Sequence, residues 1–453
     1  MARFSGPATV MAMLLSIPLT TSAMAAVDSQ TRSELARFLD VFQEVKANYV
    51  EPVDDNKLIE GAISGMLASL DPHSGYLDAR DFAQLRTQTD GEYGGLGLSV
   101  TMEDGAVKVI APQADTPAAR AGIKAGDFIT HIDGTLLIGY DLDEAVEKMR
   151  GRPGTTIRLT VVRPGRDQPI EAVVTREVIQ LRPVKWEVRD DVGVLSLTTF
   201  SDNAGRELRN AMASVERSLG HRPRGWILDL RSNPGGLLNE AVSVSDLFLE
   251  NGEIVSQRGR TSSDIERFAA HPGDAAYGLP VIVLIDSGSA SASEIVAGAL
   301  QDQHRAVIMG ETSFGKGSVQ TVLPLTDTTA LRLTTARYYT PSGRSVQEGG
   351  IVPDIRVPQI SDPDYRTRPV FREADLRRHL VNETGVDNRA VEEDSATDPR
   401  FSQSAEQVRA QGIEDFQMHY ALQTIGRLPV GGRVATAQAA RPAAGRRPVR
   451  ANR

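Results

Sequence analysis

The chain has 453 residues, room for about three average domains, and its 40% hydrophobic and 24% charged content excludes a disordered or fibrous protein. The absence of cysteine excludes a cysteine nucleophile, a disulfide framework, thiolate zinc sites, cysteine-ligated iron–sulfur clusters and lipid attachment to an N-terminal cysteine. A net charge of −9 speaks against a whole-surface nucleic-acid binder.

Arg3, the mostly apolar run Ala8 to Leu19 and the small-x-small triplet Ala23-Met24-Ala25 predict an export signal over residues 1–25, cleaved near Ala25 or Ala26. An uncleaved anchor is the alternative, but the run is shorter than the ~20 residues that span a bilayer. No later segment has the length or apolarity to cross a membrane, so the expected location is outside the cytoplasm, in a bacterial periplasm. Residues 28–86 carry helical periodicity in Leu35, Phe38, Leu39, Phe42 and Val45, then in Leu58, Ile63, Met66, Leu67 and Leu70. They predict two amphipathic helices that need a partner, either the protein's own body or a second subunit. Residues 87–176 predict a compact β-rich module, with strands at Gly97 to Met102, Ala106 to Ile110 and Thr156 to Val162 around a helix, Asp141 to Met149.

Residues 184–357, with flanking strands, alternate strand and helix. Strands are expected at Val192 to Leu197, Trp226 to Leu230, Val281 to Ile285 and Val307 to Met309, and helices over Ala204 to Leu219, Leu237 to Phe248 and Glu294 to Leu300. This pattern reads as an α/β layered domain with a largely parallel sheet, whose ligands sit beyond the C-terminal ends of the strands. Residues 358–428 show poor periodicity, an acid cluster at Glu392-Glu393-Asp394 and one helix, Ala405 to Leu422. Residues 429–453 hold six arginines and no acids, a disordered basic tail that is either simply solvated or drawn to an anionic surface.

Three segments of the α/β stretch carry chemistry. Asp286-Ser287-Gly288-Ser289-Ala290-Ser291-Ala292-Ser293-Glu294 runs from a strand straight into a helix through small residues, which admit a substrate backbone and leave N–H groups unpaired for an oxyanion. The same serines also suit an ordinary helix cap. In Phe314-Gly315-Lys316-Gly317, a lysine between two glycines can be held against apolar surroundings, where desolvation lowers its pKa and lets a neutral amine accept a serine proton. A phosphate loop is not matched, because Gly317 stands where Ser or Thr is required. Asn233-Pro234-Gly235-Gly236 feeds a helix and offers further N–H groups.

These residues resemble the C-terminal processing peptidases, or tail-specific proteases, through Ser289 to Ile295, Phe314 to Gly317 with Gln320, and the 25-residue gap from Ser291 to Lys316. Leu70-Asp71-Pro72-His73-Ser74, Tyr339 to Arg344 and Gly350 to Asp354 match as well, so the resemblance covers about Leu39 to Val357. It implies a ClpP/crotonase-like layered α/β protease core with an inserted PDZ domain and N-terminal helices. It implies Ser291 as nucleophile, Lys316 as base, Gln320 as the residue orienting the lysine, and the N–H groups of Gly236 and Ala292 as oxyanion donors. In Tyr93-Gly94-Gly95-Leu96-Gly97-Leu98 it implies a loop that takes a peptide C-terminus, with an apolar last residue preferred. The activity implied is a serine endopeptidase acting on the C-termini of exported proteins, with an adaptor protein as a candidate partner. The acidic charge speaks against nucleic acid, no His/Asp cluster has metal-ligand spacing and no cofactor is expected, and the N-terminal helices and the segment after Gln359 are candidate contacts of a homo-oligomer. A Ser-His-Asp hydrolase is the first alternative, although Gly288 to Ala292 lacks the Gly-x-Ser-x-Gly elbow. A PDZ scaffold that binds C-termini without cutting them is the second.

Overall fold

The computed structural model describes residues 28–261, 263–383 and 398–428. The expected export signal, the acid cluster Glu392 to Asp394 and the basic tail lie outside them. The chain divides into two units, residues 1–66 and 67–453.

The first unit holds helix α1 (Ser29–Asn48) and most of α2 (Asp55–Ala68). The Asp28 carboxylate caps α1 by accepting the Thr31 N–H at 2.9 Å. The predicted apolar stripe is present, but Leu35, Phe38, Leu39 and Val45 are exposed and no residue of α1 is buried.

The second unit continues with β1 (Gly75–Leu77), α3 (Ala79–Asp90) and β2 (Glu92–Gly95). The β-rich module then follows as β3 (Leu98–Glu103), β4 (Ala106–Pro112), α4 (Pro117–Arg120), β5 (Phe128–Ile132), β6 (Thr135–Leu136), α5 (Leu142–Met149), β7 (Thr156–Val162) and β8 (Ile170–Thr175). Its sheet runs β3-β4-β5-β7-β8, with β6 on β5, around a core that includes Val107, Val109, Ile129, Ile157 and Leu159. Asp141 and Glu144 cap α5 reciprocally. β9 (Glu177–Gln180) returns antiparallel to β2, so the module is an insertion entered and left at one two-stranded ribbon.

The α/β region contributes β10 (Val184–Arg189), β11 (Val192–Leu197), α6 (Ala204–Leu219), β12 (Trp226–Asp229), α7 (Leu238–Asp246), β13 (Glu253–Arg258), β14 (Ile265–Ala269), β15 (Val281–Ile285), α8 (Ala292–Asp302), β16 (Val307–Gly310), β17 (Ser318–Pro324), β18 (Ala330–Tyr339) and β19 (Ile355–Arg356). One sheet has the order β10-β11-β12-β15-β16-β19, parallel except for β10. Successive strand residues point to opposite faces. Leu195, Leu228 and Val283 pack into one cluster with α6, α7 and α8, while Val194, Ile227 and Ile282 pack into another.

That second cluster is completed from the C-terminal segment, by Phe401, Val408, Phe416, Met418, Ala421 and Ile425. The single helix expected over Ala405 to Leu422 is two: α9 (Ala405–Ala410) and α10 (Phe416–Ile425). The chain turns at Gly412, in the left-handed region at φ +76°, and Asp415 caps the new helix by accepting the Met418 N–H at 3.0 Å. The second sheet, β1-β18-β13-β14 with β17 also on β18, is antiparallel. Among the described residues, no helix is long and apolar enough to cross a membrane.

Candidate active site

β15 is apolar and buried at all five positions, which fixes the point where the chain leaves the sheet at Asp286. The serines after it differ in what they do. Ser289 is fully buried and donates its hydroxyl to the Leu230 carbonyl at 2.8 Å; Ser293, also buried, donates to the Asn233 carbonyl at 2.9 Å. Both are fastened to the loop after β12. Ser291 is only half-buried and sits at φ 56°, ψ −113°, a strained backbone for a residue with a side chain. Its hydroxyl meets that of Tyr338, which donates to the Lys316 carbonyl. Burial pushes the Tyr338 phenol well up, so it keeps its proton.

The Asn233-Pro234-Gly235-Gly236 turn docks directly on Ser291. A Cβ on Gly235 would lie 2.8 Å from the Ser291 Cβ, and one on Gly236 would lie 2.4 Å from the Phe200 carbonyl oxygen; both residues have positive φ, +104° and +147°. Asn233 is fully buried and holds the turn, donating its side-chain amide to the Leu197 carbonyl at 2.8 Å and accepting the Gly235 N–H at 2.9 Å. Among the described residues, the N–H groups of Gly236 and Ala292 donate to no protein acceptor. Two free donors therefore flank Ser291, the arrangement that stabilises a developing oxyanion.

Lys316 lies on the loop between β16 and β17. The flanking glycines let the loop close, since a Cβ on Gly315 would lie 2.7 Å from the Glu348 carbonyl oxygen and one on Gly317 2.6 Å from the Gln347 nitrogen. Burial holds the Lys316 ammonium below the usual lysine range and Arg332 adds to the effect, while Glu373, Glu294 and Asp71 oppose it. Gln320, on β17, donates its amide to Ser318 at 2.9 Å and Thr334 at 3.3 Å.

Residues that motif reading did not single out for a role complete the surroundings. Asp71 accepts the His73 and Ser74 N–H groups and the Ser74 and Thr334 hydroxyls. His73 gives its Nε2 to the buried Glu373 at 2.8 Å rather than to Ser291, and Glu373 accepts the Gln347 amide at 2.9 Å. Gln347 in turn accepts the Gly317 N–H. Glu294, three residues after Ser291, is fully buried and accepts the N–H groups of both Ser291 and Lys316. The Ser-x-x-Glu spacing at a helix start is a sequence signal that could have identified Glu294; Glu373 and Gln347 offer none. Among the described residues, no cluster of three or more histidines, aspartates and glutamates is arranged to hold a metal ion.

In the β-rich module, β3 is an edge strand with one side unpaired. The Leu96 and Gly97 carbonyls turn inward to accept the Ala118 and Gln113 N–H groups at 3.0 and 2.8 Å, and their own N–H groups donate to no acceptor among the described residues. Gly94 and Gly95 belong to β2 and pair with β9. A Cβ on Gly94 would lie 2.1 Å from the Gly151 carbonyl oxygen. Leu98 and Val100 of β3 and Val146 of α5 are half-buried and pack against the module's core.

Comparison with known proteins gives the following. Residues 191–357 match the family described as peptidase family S41, residues 108–163 a PDZ domain and residues 16–81 the activating protease CtpB N-terminal domain. The chain is 52% identical over 355 residues to the carboxy-terminal-processing protease of Bartonella bacilliformis, covering 78% of this chain and 82% of that one. It is 35% identical over 349 residues to the carboxy-terminal processing protease CtpB of Bacillus subtilis, covering 76% and 71%. Among solved structures it is similar to the photosystem II D1 C-terminal processing protease, at 29% identity and a TM-score of 0.42 over 77% of this chain and 99% of that one.

Proposed function

The chain belongs to peptidase family S41, the carboxy-terminal processing proteases, serine-type hydrolases that here carry a PDZ domain, and on that premise we propose that it cuts exported proteins by a Ser–Lys mechanism after capturing their C-termini. The observation that carries the reading is the convergence on Ser291 of two free N–H groups and a desolvated lysine's loop.

Ser291 Oγ attacks the scissile carbonyl carbon as its proton passes to the neutral Lys316 Nζ. The oxyanion is held by the Gly236 and Ala292 N–H groups. Collapse breaks the C–N bond, Lys316 returns the proton to the leaving amine, and the acyl group remains as a Ser291 ester. Water then attacks the ester, gives its proton to Lys316 and releases the new carboxylic acid, while the proton on Lys316 restores the serine hydroxyl. Gln320 keeps the lysine segment in register through Ser318 and Thr334. The substrate's terminal carboxylate binds the N–H groups at Leu96, Gly97 and Leu98, beside the Gly94-Gly95 ribbon, as its last residues add a strand to β3. Export fits a signal over residues 1–25 and a periplasmic site of action, with the N-terminal helices and residues 358–428 as surfaces for a second subunit or an adaptor.

The test is single replacement. Ser291→Ala and Lys316→Ala are each expected to abolish cleavage while leaving peptide binding intact. Uncut C-termini are expected to accumulate in the exported proteome of cells carrying Ser291→Ala. Retained activity in Lys316→Ala, with loss on replacing a histidine, would overturn the mechanism.

A further inference from the structure

Glu294 is wholly buried, and its carboxylate is the meeting point of four donors. Oε2 accepts the Ser291 N–H at 2.7 Å and the Lys316 N–H at 2.9 Å. Oε1 accepts the Gly315 N–H at 2.7 Å and the Ser313 hydroxyl at 2.5 Å. Two backbone nitrogens bonded to one oxygen cannot lie farther apart than the sum of those two bond lengths. The segments carrying Ser291 and Lys316 come from opposite ends of the α8–β16 unit, and this one atom ties them together.

A helix cap does not require this arrangement. An N-cap serine followed three residues later by glutamate ordinarily satisfies two donors at the start of its own helix. Here the glutamate reaches back to the Ser291 N–H as expected, and it also takes three donors from a different loop. Burying a carboxylate is costly unless it is well hydrogen-bonded, and burial pushes this one up to about 7 against the pull of its four donors. Ser291 also keeps its strained backbone at the place where this bond holds it.

We propose that Glu294 is a positioning residue that sets the distance and register between nucleophile and base by accepting both their backbone N–H groups on one buried oxygen. The proposal rests on the Ser–Lys assignment above. Glu294 touches no substrate; its effect is exerted through the geometry of the two residues that do.

The test uses the full chain and a fluorogenic peptide with an apolar last residue and a free carboxylate. Glu294→Gln keeps the shape but leaves one oxygen for the four donors, so whichever way the amide turns its NH2 group faces at least one backbone N–H. Its kcat is expected to fall by about 100-fold, the scale of a misplacement of about 1 Å, with KM within about threefold and binding of an uncleavable peptide unchanged. Ser313→Ala removes one donor from the other oxygen and leaves the shared oxygen's bonds in place, so its kcat is expected to stay within about fivefold of the parent. Folded Glu294→Gln with near-normal kcat overturns the proposal. A fall of about 100-fold in Ser313→Ala also overturns it, because the carboxylate would then act as a packing centre rather than a bridge; this arm decides the matter even where Glu294→Gln does not fold. Ser291→Ala and Lys316→Ala run alongside. If either turns over normally, the Ser–Lys assignment falls first; if both are inactive while Glu294→Gln is normal, only the present inference falls.

Discussion

The lysine amine is under opposing influences, with burial and Arg332 favouring its neutral form and Glu373, Glu294 and Asp71 favouring the charged one, and the net direction is down. A base must be unprotonated to act, so kcat/KM is expected to rise with pH and level off below the pH at which an exposed lysine would titrate; a flat profile between about pH 6 and 9 would count against Lys316 as the base. Lys316→Arg is expected to be inactive throughout that range, because a guanidinium does not deprotonate there. Backbone space at the turn that holds the proposed oxyanion donor Gly236 gives a second prediction. Gly236→Ala would place a methyl 2.4 Å from the Phe200 carbonyl oxygen at a φ of +147°. It is expected to lower the melting temperature and to cut kcat by about 100-fold or more, as loss of an oxyanion donor does. The segments carrying Ser291 and Lys316 stand out in the sequence because each is embedded in small residues that permit close approach, and it is the resemblance to the C-terminal processing peptidases that singles out these two side chains. Glu373 and Gln347 do not stand out, because their partners His73 and Gly317 lie 300 and 30 residues away and no local pattern records such a pairing.

At the scale of elements, the proposed reading of a peptide rests on the β3 edge and the two inward-turned carbonyls beside it. Peptides with a free C-terminal carboxylate and an apolar last residue are expected to bind the Ser291→Ala protein at least about tenfold more tightly than the same peptides amidated, measured by fluorescence anisotropy; equal binding would remove the carboxylate from the recognition scheme. Alternation of apolar and polar residues made β7 readable, and an unbroken apolar run did the same for β15. The sheet of β17 and β18 was harder to see. Ser318 to Pro324 and Ala330 to Tyr339 are half-buried with mixed composition, so their strand character comes from pairing with each other and with β1 and β13. The helix break at Gly412 is of the same kind: apolar spacing runs through it, and the left-handed glycine with the Asp415 cap decides the matter.

For the whole molecule, the C-terminal segment is a layer of the core. Phe401, Phe416 and Tyr420 form a cluster of rings among the residues covering the sheet face that bears Val194, Ile227 and Ile282. It also reaches the loop leading to the Gly235-Gly236 turn, where the Arg231 guanidinium bonds Asp229, Asp415 and Gln417. A chain ending at residue 397 is expected to be insoluble or to lose its cooperative melting transition, because several fully buried side chains, each stabilising by about 1.5–3 kcal/mol, would lose their cover. Arg231 and its bonds hold the Asp415 carboxyl at about 2, below its ordinary 3.8. A lowered carboxyl pKa contributes stability that is fully present above about pH 4 and is lost as pH falls towards 2. Asp415→Asn is therefore expected to lower the melting temperature at pH 7 and to narrow the gap from the parent near pH 2.

The desolvated lysine has a consequence for how such a protein changes under selection. A side chain whose charged form is disfavoured by folding makes the native state less stable at neutral pH than an apolar one of similar length would, so Lys316→Met is expected to melt at a higher temperature while cutting nothing. A library of variants screened for heat resistance alone would enrich that replacement, and its survivors would be durable proteins without turnover. On the proposed Ser–Lys mechanism, selection on cleavage is what keeps a lysine at this position.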